Sequence, residues 1–400
     1  MKDVAKVGWE NAPLGHVCKF MGGGTPSKQN PSFWGGELPW VSPKDMKSDT
    51  VSDSIDHVTD IAVEQSATKR IPKGAILIVV RSGILSRTIP TAIAGRELTV
   101  NQDLKAIIPD KRLDGRFLAY FFQAAEPYLL DRVTRGATVH KLDMPVIKSL
   151  PVPLPPLEEQ QRIVAVLDEA FEGLARARTH AEANLQNARE LFETALSAFI
   201  ERHKDSWSST TLGEAYDVRD GTHDSPKYHP TGRALITSKN LGRDGLHFEK
   251  IKFISEEDYV SICKRSGVDK GDVLFAMIGT IGNPIVVDVE PDFAIKNVAL
   301  FKMKDGRSGQ FLRYMLRSKY VVEKMRAEAK GTTQQFVGLG YLRAFPVILP
   351  DPTTEMTMVD ELDRIEAHCR SAEALYDIKL QDIDDLRQSL LQKAFAGDLT

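Results

Sequence analysis

Cysteine is scarce. Cys18, Cys263 and Cys369 are the only three in 400 residues, and they lie far apart. An odd, scattered set argues against a disulfide framework and lacks the close pairs of a zinc site. Each is expected as a small buried hydrophobe. No apolar run approaches the roughly 18–20 residues that span a bilayer. The opening MKDVAKVGWENAP has no apolar core of the signal-peptide kind. These absences predict a protein of the reducing cytoplasm with no membrane association.

Catalytic signatures are missing too. No G-x-x-x-x-G-K-[ST] loop occurs, so a P-loop nucleotide hydrolase is not encoded. MGGG at Met21–Gly24 is not followed by dinucleotide-site spacing. There is no H-E-x-x-H and no C-x-x-C, and no metal site is expected. The Asn/Asp-Pro-Pro-Tyr/Phe tetrapeptide of amino-methyltransferases is absent, since NPSF at Asn30–Phe33 lacks the second proline. PDFAIK (Pro291–Lys296) has Ala294 where a nuclease motif needs an acid. His223-Asp224-Ser225 has triad residue types, but adjacent residues cannot converge in triad geometry. No catalytic residue is proposed, and the chain reads as a binding protein.

What is present is ordinary in bulk and organised in detail. Hydrophobic residues make up 42% and charged ones 27%, usual for a globular protein. The net charge of −3 hides an alternation. Residues 1–150 carry +4, residues 151–203 −4, residues 204–350 +4 and residues 351–400 −7. The chain also repeats itself. Trp9 and Leu14-Gly15 answer Trp207 and Leu212-Gly213. PKGAIL (Pro72–Leu77) answers DKGDVL (Asp269–Leu274), and Asn101-x-x-Leu104 answers Asn297-x-x-Leu300. GRFLAY (Gly115–Tyr120) answers GQFLRY (Gly309–Tyr314), and PVPLP (Pro151–Pro155) answers PVILP (Pro346–Pro350). The order is kept and the offset drifts only from 194 to 198.

Each half predicts a mixed block followed by a long helix. AILIVV (Ala75–Val80) and DVLFAM (Asp272–Met277) read as buried strands. DGRFLAYFFQAA and SGQFLRYMLRS read as amphipathic helices whose aromatics face the core. Pro155-Pro156 mark a helix start, with Glu158 and Glu159 suited to its positive end. Ile163, Leu167, Ala170, Leu174, Ala177, Ala181, Leu185, Ala188, Phe192, Ala195 and Phe199 follow at coiled-coil steps of three and four. Val359, Leu362, Cys369, Ala372, Tyr376, Ile383, Leu386, Leu390 and Ala394 form the expected partner stripe. Each helix should span about 65–70 Å. If the two lie antiparallel, the blocks sit at opposite ends of a rod with approximate twofold symmetry. The fold class expected is α+β, with blocks 1–156 and 204–350 and helices 157–203 and 351–400.

The run PLPPLEEQQRIVAVLDEAF (Pro153–Phe171), with the duplicated halves, resembles the specificity subunit of Type I restriction–modification systems. GGGTPSK…FWGGELPWVSPKDM (Gly22–Met46) and DGTHDSPKYHPTGRALITSKNL (Asp220–Leu241) look like openings of that family's target recognition domains. The second copy departs from the pattern: Asp351-Pro352 replaces Pro155-Pro156, and Glu355 stands where Gln160 does. The resemblance implies that each block reads one part of a split, asymmetric sequence in double-stranded DNA. It implies that the helices dock modification subunits, which carry S-adenosylmethionine, and that restriction subunits with ATP and Mg²⁺ join. No cofactor is expected on this chain. Polar loop residues suited to base edges or phosphates are Thr25, Lys28, Ser42, Lys44, Arg81, Arg87 and Gln102 in the first block. In the second they are Thr222, His223, Lys227, Ser238, Lys239, Asn240 and Thr280. Asn240 and Gln102 suit bidentate adenine contacts, and Arg81 suits guanine. Two other classes stay open: a self-sufficient enzyme on DNA, and a coiled-coil scaffold whose blocks bind protein or glycan.

Overall fold

A computed structural model of the chain describes residues 9–279, 281–329 and 336–399. Contacts divide it into two units, Met1–Ala181 with Lys379–Thr400, and Glu182–Ile378. The boundary falls inside both long helices, so each unit is a mixed block plus parts of both helices.

In the first unit, Ile76–Val79 is a central strand whose four residues are fully buried. It lies in a five-stranded sheet ordered Cys18–Gly22, Leu104–Pro109, Ile76–Val79, Thr91–Ala94, Thr50–Val51. Helix Gly115–Leu130 buries Phe117, Leu118, Phe121 and Phe122, so these aromatics belong to the core. Each such side chain contributes about 1.5–3 kcal/mol by leaving water. Its N-cap, Asp114, accepts the N–H groups of Arg116 and Phe117 at 2.8 and 3.0 Å. A smaller sheet joins Asp56–Val58, Trp34–Val41 and Thr99–Val100. The block is closed where its chain ends meet, Glu10–Pro13 antiparallel to Pro151–Leu154.

The second unit repeats this plan. Ser208–Thr211 pairs with Pro346–Leu349. Val273–Ala276 is the buried strand of a four-stranded sheet, and helix Gly309–Arg317 follows that sheet in the chain. The register repeats as well. Trp40 lies opposite Thr99 in a parallel pair, and Leu235 opposite Ala294 in another, each partner displaced by 195.

The long helices run Leu157–His203 and Pro352–Ala396. At the fourth residue of each sits a fully buried polar side chain, Gln160 or Glu355. Gln160 accepts the N–H of Asp114 at 2.7 Å and donates to the carbonyls of Arg112 and Pro155 at 2.8 Å each. Glu355 accepts the corresponding N–H of Ser308 at 2.9 Å. A carboxylate has no N–H to give, and Arg307 supplies one of the missing donors. Its guanidinium bonds Glu355 and donates to the Pro350 carbonyl at 3.2 Å. Burial still pushes the Glu355 carboxyl above its ordinary range. The substitution therefore keeps the contact by adding a cation.

Both units tie the block helix to the long helix through a tyrosine. Tyr120 donates to Asp168 and Tyr314 to Asp363. One turn further they diverge. In the first unit Phe171 packs edge-on to Tyr120 and beneath the Arg387 guanidinium, at 5.4 and 4.0 Å between centres. In the second, the matching position is Glu366. It receives Arg313 through two bonds of 3.0 and 2.6 Å, with Arg317, Arg370 and Tyr314 around it. Burial raises the Glu366 carboxyl, but hydrogen bonds and charge from Arg313 and Arg317 outweigh it and hold the group down at about 2.

The helix seam is buried at Ile163, Leu167, Ala181, Leu185, Ala188, Phe192 and Phe199. Ala177 is exposed, and Phe171 and Leu196 take core positions instead. On the second helix Val359, Leu362, Cys369 and Ala394 are buried, but Leu386 is 50% exposed and Leu391 is buried in its neighbourhood. Phe171 and Leu391 depart from the heptad because these parts of the helices pack into the first block's core, as Phe395 does on Phe117 and Phe121. Antiparallel pairing holds within each unit. Arg178 meets Asp384 in the first, and Arg189 lies 3.9 Å from Glu373 and 4.0 Å from Asp377 in the second. Cys369 is buried as expected, whereas Cys18 and Cys263 are only partly so. Among the described residues, no helix is long and apolar enough to cross a membrane.

Two outcomes follow. Gln160→Ala strands one N–H and two carbonyls, and should cost about 2–4 kcal/mol in urea unfolding. Glu366→Gln leaves Arg313 buried without its counter-charge, and should cost about 3–5 kcal/mol at neutral pH. Because the folded Glu366 titrates at about 2 rather than 4.5, its stabilisation is complete above the unfolded value and lost as pH falls from there toward 2. The Gln variant should lack that part of the acid sensitivity.

Candidate nucleic-acid interface

In the first unit, strand-end loops converge on residues 101–103. The glycine run MGGG makes this approach possible. A Cβ on Gly23 would lie 1.9 Å from the Val100 carbonyl oxygen, and one on Gly24 would meet the Ala67 backbone at 2.8 Å. The Trp40 indole N–H holds the Gly24 carbonyl at 2.9 Å. Thr25, next in the chain, donates its hydroxyl to the Gln102 side-chain carbonyl. The Asn101 N–H reaches the Val41 carbonyl at 2.9 Å, which sets Ser42 beside it. Ser42 gives both its N–H and its hydroxyl to Asp45 at 2.8 Å. Val80 N–H bonds the Asp103 carbonyl at 2.8 Å, and the Arg81 guanidinium lies 3.9 Å from the Asp103 carboxylate.

Four of the seven residues chosen from sequence, Thr25, Ser42, Arg81 and Gln102, thus gather around one segment. Gln102 is exposed and its amide nitrogen remains to one side of the Thr25 bond. Lys28, Lys44 and Arg87 are exposed on flanking loops. Sequence reading missed Lys141. The strand His140–Lys141 pairs with Arg81–Ser82, so exposed Lys141 stands directly opposite Arg81, ion-paired to Asp143 at 2.6 Å. The polar stretch GATVHKL carried that signal, but only the pairing aligns it with Arg81.

The second unit builds the matching edge with different chemistry. Gly221 presses on the Ile295 carbonyl, where a Cβ would be 2.3 Å away. Thr222 N–H bonds that carbonyl at 3.0 Å, and Asn297 N–H bonds the Thr222 carbonyl at 3.2 Å. His223 stands between two oxygens, Asn297 Oδ1 at 2.9 Å and Asp220 Oδ2 at 2.7 Å. Both ring nitrogens are satisfied best as donors. Asn297 first, then Asp220, raise His223 above the ordinary histidine range, against a smaller effect of burial. Lys296, from the PDFAIK stretch, donates to the carbonyls of His223 and Asp224 at 3.3 and 2.6 Å and to the Ser225 hydroxyl at 2.8 Å. It is a loop clamp that composition did not single out. Lys227 and Lys239 are exposed and Ser238 half-buried.

Asn240 is a correction. It is 5% exposed. Its Oδ1 accepts from the Thr237 N–H and hydroxyl at 3.0 and 2.9 Å, and its Nδ2 donates to the His247 carbonyl at 3.0 Å. An amide so committed does not offer adenine a bidentate face. Asn240 instead answers Asp45: Thr237-x-x-Asn240 repeats Ser42-x-x-Asp45 as a turn closed by a side-chain acceptor. Thr280 lies outside the described residues.

Comparison with known proteins agrees with this duplicated plan. Residues 6–183 match the Type I restriction modification DNA specificity domain. The MjaIX specificity subunit of Methanocaldococcus jannaschii is 25% identical over 377 residues, covering 87% of this chain and 85% of that protein. The chain is thus similar over most of its length to a Type I restriction specificity subunit. The EcoR124I/EcoR124II specificity subunit of Escherichia coli is 39% identical over 176 residues, 44% of this chain. That alignment spans only 43% of the Escherichia coli protein's own length. Two solved structures share the fold. One, from work on complex assembly and conformational transition of the type I R-M system, has a TM-score of 0.74 at 20% identity and covers 99% of both chains. The other, the HsdS subunit of Thermoanaerobacter tengcongensis, has a TM-score of 0.58 at 19% identity, with 99% of this chain and 98% of that one covered.

The His223 geometry is directly testable. Asp220→Asn keeps an oxygen acceptor but removes the negative charge that favours the imidazolium. Titration by NMR should show the His223 midpoint falling toward the ordinary histidine range.

Proposed function

We propose that the chain is the DNA-reading subunit of a Type I restriction–modification complex. Each unit reads one part of a split, asymmetric duplex site. The single observation that carries this reading is the repeated strand-end edge. The turn closed by Asp45 or Asn240 follows the same strand in both units, and exposed cations and amides stand beside it. Lys44 and Lys239 stand at the same place in the two turns, whereas Arg81, Lys141 and the Gln102 amide in one unit and Thr222 and His223 in the other differ in chemistry on that shared frame. Such a frame suits two readers of two sequences, because phosphate contacts position a protein while base-edge contacts specify. In the major groove Arg can donate to the O6 and N7 acceptors of guanine, and Gln can donate to N7 of adenine while accepting from its N6 amine.

In this reading the chain does no chemistry of its own. Modification subunits would bring S-adenosylmethionine, and restriction subunits ATP and Mg²⁺. The long helices offer these partners exposed apolar side chains, Val166 and Leu191 on the first and Leu375 and Ile378 on the second, each at least 40% exposed. The complex would work in the cytoplasm, where its DNA is.

Selection of bound fragments from random duplex DNA, with the modification subunits present, should return two short fixed sequences separated by an unread gap. Affinity should fall steeply with salt as counterions cease to be released. Exchanging residues 1–150 for the block of a relative should change one fixed sequence and leave the other. A change in both sinks the two-reader model. The chain alone, supplied with S-adenosylmethionine or ATP, should neither methylate nor cleave.

A further inference from the structure

The turn Thr237–Leu241 of the second unit runs into a tight hairpin. Leu241 pairs with Leu246, and the Gly242 N–H bonds the Gly245 carbonyl at 2.9 Å. Gly245 has φ +148°, open to glycine and not to other residues. A Cβ on Gly242 would fall 2.5 Å from the His247 ring. The base is shut by Asn240, whose backbone carbonyl accepts the His247 N–H at 2.9 Å and whose amide returns to the His247 carbonyl. The segment is thus one stiff piece that carries Ser238 and Lys239 at its root and Arg243 at its tip.

The Arg243 side chain is 59% exposed, yet its fork is engaged. Its two terminal nitrogens meet the two carboxylate oxygens of Glu373, on the second long helix, at 2.9 and 2.8 Å. Glu373 is 15% exposed by side chain and has Arg189, of the first long helix, 3.9 Å away on the same carboxylate. A parallel two-bond guanidinium–carboxylate pair fixes orientation as well as distance.

We infer that Arg243 is a positioning residue. It clamps the 240–247 hairpin to Glu373, and so holds the Ser238–Lys239 turn against the helices while the second half-site is read. This rests on the DNA reading proposed above. The competing role for Arg243 is direct contact with a phosphate, and the two differ in what Glu373 does. If Arg243 served phosphate, Glu373 would only compete with DNA for it, and its removal would help binding. If Arg243 acts through Glu373, removal of either partner does equal harm.

The test uses the full chain with its modification subunits. Hydrogen exchange of the amides in 240–247 and binding to the selected duplex are measured for Glu373→Gln, Arg243→Ala and the double variant. Both single variants should speed exchange of the hairpin about five- to tenfold, as expected for losing roughly 1–1.4 kcal/mol. Both should weaken discrimination at the second half-site by a similar factor and leave the first untouched. The double variant should lose no more than either single one, since both act through one bond. Unchanged exchange in Glu373→Gln overturns the clamp. Tighter DNA binding by Glu373→Gln, with weaker binding by Arg243→Ala, overturns it in favour of a phosphate contact. Faster exchange in a complex whose wild type binds no duplex overturns the DNA reading and leaves the clamp standing.

Discussion

The start of each long helix is held by one buried hydrogen-bonding side chain, and the rest of the unit depends on it. Gln160 and Glu355 each reach from the helix's first turn to the N–H of the residue that caps the block helix. That capping residue in turn holds the first turn of the helix that carries the core aromatics. A single side chain therefore sets the long helix, the cap and the domain core in one register. Burying a polar group without partners costs more than a typical hydrogen bond contributes. The contact thus specifies geometry strongly, because alternatives leave several groups unpaired at once. Its persistence through a change from amide to carboxylate shows which part matters. The acceptor is kept, and one of the donors moves to Arg307.

The two units use the same frame with different interiors. Where the first packs Phe171 and Tyr120, the second assembles Glu366 with three arginines. Charged cores of this kind are not a general route to stability, since desolvation offsets much of the Coulomb gain. They do demand one arrangement, as each guanidinium must find its oxygen. Glu366 and Glu373, two turns apart on one helix, engage different arginines, Arg313 from the block helix and Arg243 from the hairpin. The second unit is thereby fastened to its helices by ion pairs, where the first relies more on aromatic packing.

Much of the frame was legible in the sequence because repeats, strand runs and helix starts are local or periodic signals. Ile76–Val79 and Val273–Ala276 announce buried strands, and Pro155-Pro156 announce the helix that begins at Leu157. The aromatic face of Gly115–Leu130 is visible at helical spacing. The seam was legible in outline but missed Phe171, which packs into the first block's core, and wrongly included Ala177 and Leu386, which are exposed. The candidate edge was legible only as a set of loops. That Thr25 meets Gln102, 77 positions away, is a product of sheet order and not of spacing. Asn240 misled because an asparagine in a polar loop looks available, and only tertiary closure shows its amide spent. Arg243 and Glu373 stand 130 positions apart, and no local pattern joins them.

Reading and docking place opposed demands on one fold. A loop that selects bases needs freedom from the core, since its side chains must vary between relatives without unfolding the block. It also needs a fixed position, since misplacement by about 1 Å forfeits a bidentate base contact. The frame reconciles these demands by separating them. Exposed positions such as Arg81 and Lys239 are free to change without unfolding the block. Backbone position is held at buried or clamped ones, Gly23, Gly221, Asp45 and Asn240. The closing turns accept their bonds through one side-chain oxygen, so aspartate and asparagine serve equally. Substitution at the exposed set can then change what is read, while the buried set holds the loops in place.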